Sequence, residues 1–191
     1  MSISINGFHG TSFDSAINIT KGNFEISRGN AEWIGDGAYF FIEGISKVPI
    51  EQAEQWAIAQ AWDIKNKDYK YSRISVIKSE IIVEEEKFLD LTVSDGVEIL
   101  SYILDKHEEK ILRNGKHLSY LDGLIINFAR GEGILDIDVV KGNFYIKFAK
   151  ERIYKINLRT SNCTICSVYN PSTNLKNTNI ISNKEIKDET Y

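Results

Sequence analysis

Along this chain the spacing of apolar positions switches repeatedly between the two-residue period of strands and the three-to-four-residue period of helices. Residues 2–8 partly alternate, which predicts a strand, and residues 13–19 fit a short helix closed by Lys21-Gly22. Residues 38–42, Ala-Tyr-Phe-Phe-Ile, are aromatic and β-branched, so they predict a second strand. Pro49 stands where a helix starts. Residues 50–64 place Ala53, Trp56, Ala57, Gln60 and Ala61 on one helical face. Residues 71–83 alternate Ile and Val with polar side chains as a strand would, and residues 87–91 read as a short strand or corner. Helical spacing returns over residues 95–112 through Val97, Leu100, Ile103, Leu104 and Ile111, with Asn114-Gly115 as the stop. The apolar run at residues 124–128 predicts a buried strand. Residues 144–148 and 152–158 alternate as two more, with Glu151 near their turn. Strands and helices do not alternate regularly and the last part is strand-rich, so the predicted class is α+β rather than a doubly wound sheet.

A length of 191 residues suits one domain with a real core. The composition changes only after about Asn170, where the chain becomes Asn- and Lys-rich and poor in aromatics. That divides it into a domain over residues 1–170 and a polar tail, 171–191, expected to be loose or surface-hugging. The net charge of −4 argues against coating nucleic acid by general electrostatics. No apolar run reaches membrane-spanning length and the first residues lack a signal-peptide pattern, so no membrane partner and a cytoplasmic location are expected. Cys163 and Cys166 form a single CxxC without a second pair or well-spaced histidines. They are expected to be two ordinary thiols on a late strand or turn, with no metal.

Three segments carry candidate chemistry. His9-Gly10-Thr11 ends the first predicted strand, where glycine leaves the backbone open to a planar ligand. Residues 33–41, Trp-Ile-Gly-Asp-Gly-Ala-Tyr-Phe-Phe, bracket a tight turn with two glycines, and Gly37 permits close approach of a ligand or another backbone. Ala53, Gln55, Trp56 and Ala57 share the helix that follows. The glycines of residues 29–37 match neither dinucleotide fingerprint nor a P-loop.

Taken in order, His-Gly-Thr, a short helix, Gly-x-Gly-x-Tyr-Phe and Ala-x-x-Trp-Ala, the chain resembles the ADP-ribosyltransferase superfamily. The likeness is to the branch with a His-Tyr-Glu triad, the poly(ADP-ribose) polymerases and diphtheria-toxin-like enzymes, and within it to small bacterial and phage proteins. Residues 88–91, 122–125 and 128–133 look like later segments of such proteins. The resemblance implies a split mixed sheet with flanking helices and an NAD cleft. NAD would be a substrate, and its ADP-ribose would pass to a macromolecular acceptor, protein or nucleic acid. It implies that His9 bonds the nicotinamide-side ribose, with Gly10 and Thr11 beside it and Gly10 clamping the carboxamide. Tyr39 would pack on the nicotinamide ring, Gly37 would line the site and Trp56 would close it. The small single-domain build suggests a toxin, effector or anti-phage factor, which could also act in the cytoplasm of a target cell. An NAD glycohydrolase, or a non-catalytic module binding NAD or a partner, are the other readings.

The place of the triad glutamate falls on Tyr145, or on Asn143 if the register shifts by two, and neither is acidic. Breaking the nicotinamide–ribose bond passes through an oxocarbenium-like state. A carboxylate near the ribose stabilises that charge, so one is expected to reach the cleft from elsewhere. Glu132, between Gly131 and Gly133, is the first candidate, ahead of Asp136, Asp138 and Glu151. His9 and Tyr39 are expected to line one cleft.

Overall fold

The computed structural model of the protein describes residues 1–29, 31–113, 121–148 and 160–186. The expected 152–158 strand, Glu151 and the Asn114-Gly115 stop lie outside these residues. The chain order is β1 (Ser2–Ser12), α1 (Phe13–Thr20), β2 (Ala38–Ile42), α2 (Pro49–Ala61), β3 (Trp62–Asp63), β4 (Asp68–Tyr69), β5 (Arg73–Glu84), a 3-10 turn (Glu85–Lys87) and β6 (Phe88–Asp90). It continues with α3 (Ser94–Arg113), α4 (Leu121–Gly131), β7 (Val139–Phe144), β8 (Cys163–Val168), α5 (Pro171–Asn174) and β9 (Leu175–Glu185). Seven strands form one mixed sheet in the order β6-β7-β8-β2-β1-β5-β9, and β3 and β4 form a separate hairpin. The β6–β7 pair is parallel and every other pair in the large sheet is antiparallel. The α+β class read from the sequence is therefore correct.

Each face of the sheet has its own core. On one side Phe41, Ala53, Val76, Ile103, Ile126 and Ile165 join under α2, α3 and α4. On the other, Ala38, Phe40, Ile42, Ile81 and Val168 form a second cluster, and Ala16 and Ile19 of α1 pack on Ile77. The alternation along β2 explains the division, since successive side chains point to opposite faces. Cys163 belongs to the first core and Cys166 to the second. Three residues apart on one strand, the two thiols are buried on opposite faces and both are free.

Three expectations need correction. Residues 124–128 are helical, as the middle of α4. A short apolar run does not reveal its period, and here the flanking residues extend it to eleven in a helix whose Gly123 lies against the Glu32 carbonyl. The strand expected over residues 144–148 begins earlier, at Val139, and ends at Phe144. The polar segment after Asn170, up to Ile186, does not hang loose. It turns through α5 and pairs along β5 from Ile81↔Leu175 to Arg73↔Glu185. An edge strand gains its order from ladder hydrogen bonds, so it needs little apolar burial, and the side chains of β9 are mostly exposed.

β1 differs from its predicted length in a way that matters for function. It runs on through His9, Gly10 and Thr11 to Ser12, because β5 stays paired with it throughout, from Ser2↔Glu84 to Ser12↔Ile74. Ser12 then caps α1, its hydroxyl accepting from the Ser15 amide at 3.2 Å. On its other side β1 meets β2 only at Gly7↔Ile42 and Phe8↔Phe41. Beyond Phe8 the two strands part.

Candidate functional site

Where β1 and β2 part, a cleft of about 440 Å³ opens. Neighbouring residues of a strand address opposite sides, so beyond Phe8 alternate residues of β1 turn their backbone N–H and C=O toward the gap that β2 has left. His9, Gly10 and Thr11 line the cleft together with Gly37, Tyr39 and Trp56. All six residues expected to hold NAD thus face one cavity. Phe24, Trp33, Phe40, Phe41 and Tyr71 add further aromatic wall.

His9 bridges the parting strands. Its Nδ1 lies 2.8 Å from the Tyr39 carbonyl oxygen. A carbonyl only accepts, so Nδ1 carries the proton and the neutral ring keeps Nε2 as an acceptor. The ring meets Phe24 edge-on at 5.0 Å and lies 5.8 Å from Phe40. Burial lowers its pKa, and the bond to the Tyr39 carbonyl offsets only part of that.

Tyr39 reaches the cleft from the opposite face of the sheet, the side of α2. Its hydroxyl is fully engaged, donating to the Gly35 carbonyl at 2.7 Å and accepting from the Ile34 amide at 3.1 Å. Burial pushes the phenol well above the usual tyrosine range. The Ile34 bond opposes that shift, and the charges of Glu32 and Asp36 add to it. Tyr39 therefore offers a fixed ring and no titrating group. Trp33 is wedged among Trp56 at 5.6 Å, Tyr39 at 6.4 Å and Phe144, on which it stacks at 5.7 Å.

The turn before β2 is built for this placement. Gly35 has a φ of +82°, which favours glycine. Asn127 of α4 accepts from the Asp36 amide at 2.7 Å and donates to its carboxylate at 2.9 Å, while Arg130 donates to the Asp36 carbonyl at 3.1 Å. A β-carbon at Gly37 would collide with the Ser167 hydroxyl, so the close approach that Gly37 allows is to β8 as well as to the cleft. Gly10 has a similar double role: a β-carbon there would run into the Ala53 carbonyl of α2.

The remaining predicted residues lie elsewhere. Glu132 follows the end of α4, about half exposed, with Lys110 at 3.7 Å, and it does not line the cleft. Its amide bonds back to the Phe128 carbonyl, which directs it with the helix end. Asp136 pairs with Lys87 on the surface. Asp138 is nearly buried and accepts from Asn170 at 2.6 Å. Tyr145 is absent from the lining, although its neighbour Ile146 belongs to it, and the Tyr145 hydroxyl is buried without a hydrogen-bond partner. Asn143 accepts from the Thr164 hydroxyl at 2.7 Å. The carboxylates that do line the cleft are Glu25 and Glu32, both on the loop between α1 and β2. No sequence signal marks them, because a loop has no period and their partners become neighbours only on folding. Among the described residues no group of three or more His, Cys, Asp or Glu could hold a metal ion, and no helix is long and apolar enough to cross a membrane.

No protein-family model matches the chain. Over 86 residues it is 33% identical to the uncharacterized protein MJ0359 of Methanocaldococcus jannaschii, a match covering 44% of this chain and 36% of that protein. The chain thus spans little more than a third of that relative's length.

Proposed function

We propose that this chain is an ADP-ribosyltransferase, which cleaves NAD at the nicotinamide–ribose bond and passes ADP-ribose to a protein or nucleic acid. The observation that carries the reading is that one cleft gathers His9, Gly10, Thr11, Gly37, Tyr39 and Trp56 from two strands, a turn and a helix. The lining suits the nicotinamide end of NAD. Aromatic rings offer stacking surface, and the backbone of β1, released from β2, offers hydrogen bonds to a carboxamide. The His9 Nε2 lone pair supplies an acceptor suited to a ribose hydroxyl, which supports the reading. The early parting of β1 from β2 supports this reading, because the resemblance to ADP-ribosyltransferases implies a split sheet. The proposal extends to a toxin, effector or anti-phage factor, acting in its own cytoplasm or a target cell's.

The test follows NAD labelled in its ADP-ribose part. Nicotinamide release with label on a macromolecule is the expected result. Release with all label as free ADP-ribose makes the protein a glycohydrolase. Binding of NAD without release makes it a binding module.

A further inference from the structure

Three of the five further aromatic neighbours named above, Trp33, Phe40 and Phe41, come from the motif segment 33–41, whereas the motifs do not suggest the cleft's charge. Among the described residues that line it there are two carboxylates and no Lys or Arg. Of the two, Glu25 is exposed, whereas Glu32 is half-buried, its carboxylate held by one hydrogen bond and its backbone braced against α4. The Ser27 hydroxyl donates to the Glu32 carboxylate at 2.6 Å. Ser27 is itself clamped to Gly37 by two backbone bonds of 3.0 Å, its amide donating to the Gly37 carbonyl and the Gly37 amide donating back. On the other side the Glu32 carbonyl rests on Gly123 of α4, where any β-carbon would collide with it. The next residue, Trp33, is locked between Trp56 and Phe144. A surface acid would not need such support, but a carboxylate held ready for a charge would, since preorganisation removes the reorganisation cost at the moment of reaction.

We propose that Glu32, held by Ser27, is the carboxylate that opposes positive charge in this cleft, and that the cleft selects the cationic pyridinium end of its substrate. The proposal rests on the NAD reading above and replaces the Glu132 expectation with an acid on the loop between α1 and β2. In NAD the nicotinamide nitrogen carries the positive charge. When the C1′–N1 bond breaks, its electron pair goes to that nitrogen and neutral nicotinamide leaves. The positive charge passes to C1′ and the ring oxygen of the ribose. An acceptor lone pair then forms the new bond to C1′, and the acceptor's proton goes to solvent or to a carboxylate. Glu32 stabilises the charge before and during the transfer, and an interaction that strengthens toward the transition state raises turnover more than affinity.

The experiment compares wild type, Glu32→Gln and Ser27→Ala in two assays, each variant first checked for an unchanged melting temperature. The first assay measures binding of 1-methylnicotinamide, a pyridinium cation, against neutral nicotinamide. Wild type should prefer the cation by about tenfold, and Glu32→Gln should lose that preference. The second measures nicotinamide release from NAD, where Glu32→Gln should lower kcat by roughly 10- to 100-fold and raise KM by no more than the roughly tenfold cation preference. Ser27→Ala, which frees the carboxylate without removing it, should fall between. Glu43→Gln, which deletes the same charge on an exposed residue outside the cleft, should match wild type in both assays. If wild type releases no nicotinamide, the NAD reading fails, and the cation preference alone decides the role of Glu32. If wild type shows no cation preference, or Glu32→Gln keeps both preference and turnover, the proposal is overturned.

Discussion

At the scale of single residues, His9 is the group whose protonation the fold controls. Burial holds its pKa below the ordinary histidine value, against the weaker effect of the Tyr39 carbonyl. A depressed folded-state pKa means that the unfolded chain takes up the proton first as pH falls. The stability contributed by neutral His9 is therefore complete above about pH 6.5 and is lost as pH falls through the folded-state pKa. Melting temperature should drop more steeply from pH 7 to pH 5 in wild type than in His9→Gln, and parallel curves would contradict the buried neutral imidazole. Nicotinamide release by the folded protein should decline only at lower pH, once folded His9 itself is protonated and loses its Nε2 acceptor. The sequence showed His9, Tyr39 and Trp56 as a group only through a motif order. It could not show Glu32, whose position depends on Ser27, Gly123 and Gly37, none of them its neighbours on a helix face or strand ladder.

Among the elements, α4 is the brace of the site, and Gly123 is the point at which it meets the Trp33 loop. Gly123→Ala would press a methyl group into the Glu32 carbonyl and crowd the Gly35 amide. Overpacking of this kind costs about 1–3 kcal/mol, so a lower melting temperature and slower nicotinamide release should appear together. Release unchanged despite a lower melting temperature would separate α4 from the site. The same helix shows where sequence reading fails. Leu124 to Phe128 is apolar at every position but Asn127, so it fits a strand as well as a helix, and the Asn127 and Arg130 contacts that anchor it lie in another part of the chain. Where periods are long and unbroken, as in α2 and β5, the sequence reading and the fold agree to within a few residues. β8 offers a separate test. Burial raises the pKa of both Cys163 and Cys166 to about 12, and the two thiols point to opposite faces of the strand. Neither should react with a thiol reagent at pH 8 until the protein unfolds, when both should react. Their raised folded-state pKa values also remove stability as pH climbs from the free-thiol range toward about 12.

For the molecule as a whole, the candidate site follows from one topological choice. β1 keeps β5 along its full length but releases β2 after Phe8, and the gap becomes a cleft with an aromatic lining, an imidazole at the fork and carboxylates at one wall. Edge strand β9 and the two sheet cores stiffen the frame around that gap. The class α+β was legible from the irregular order of elements, whereas the fork was not, because pairing that stops after two residues leaves no trace in hydrophobic spacing. The measurement that tests the account most directly is the initial rate of nicotinamide release from NAD by folded wild type beside folded His9→Ala. The account predicts measurable release by wild type and a rate about 10- to 100-fold lower in His9→Ala, the scale of about 1–3 kcal/mol for a lost hydrogen bond to the reacting substrate. No release by wild type, or equal rates in the two proteins, would contradict it.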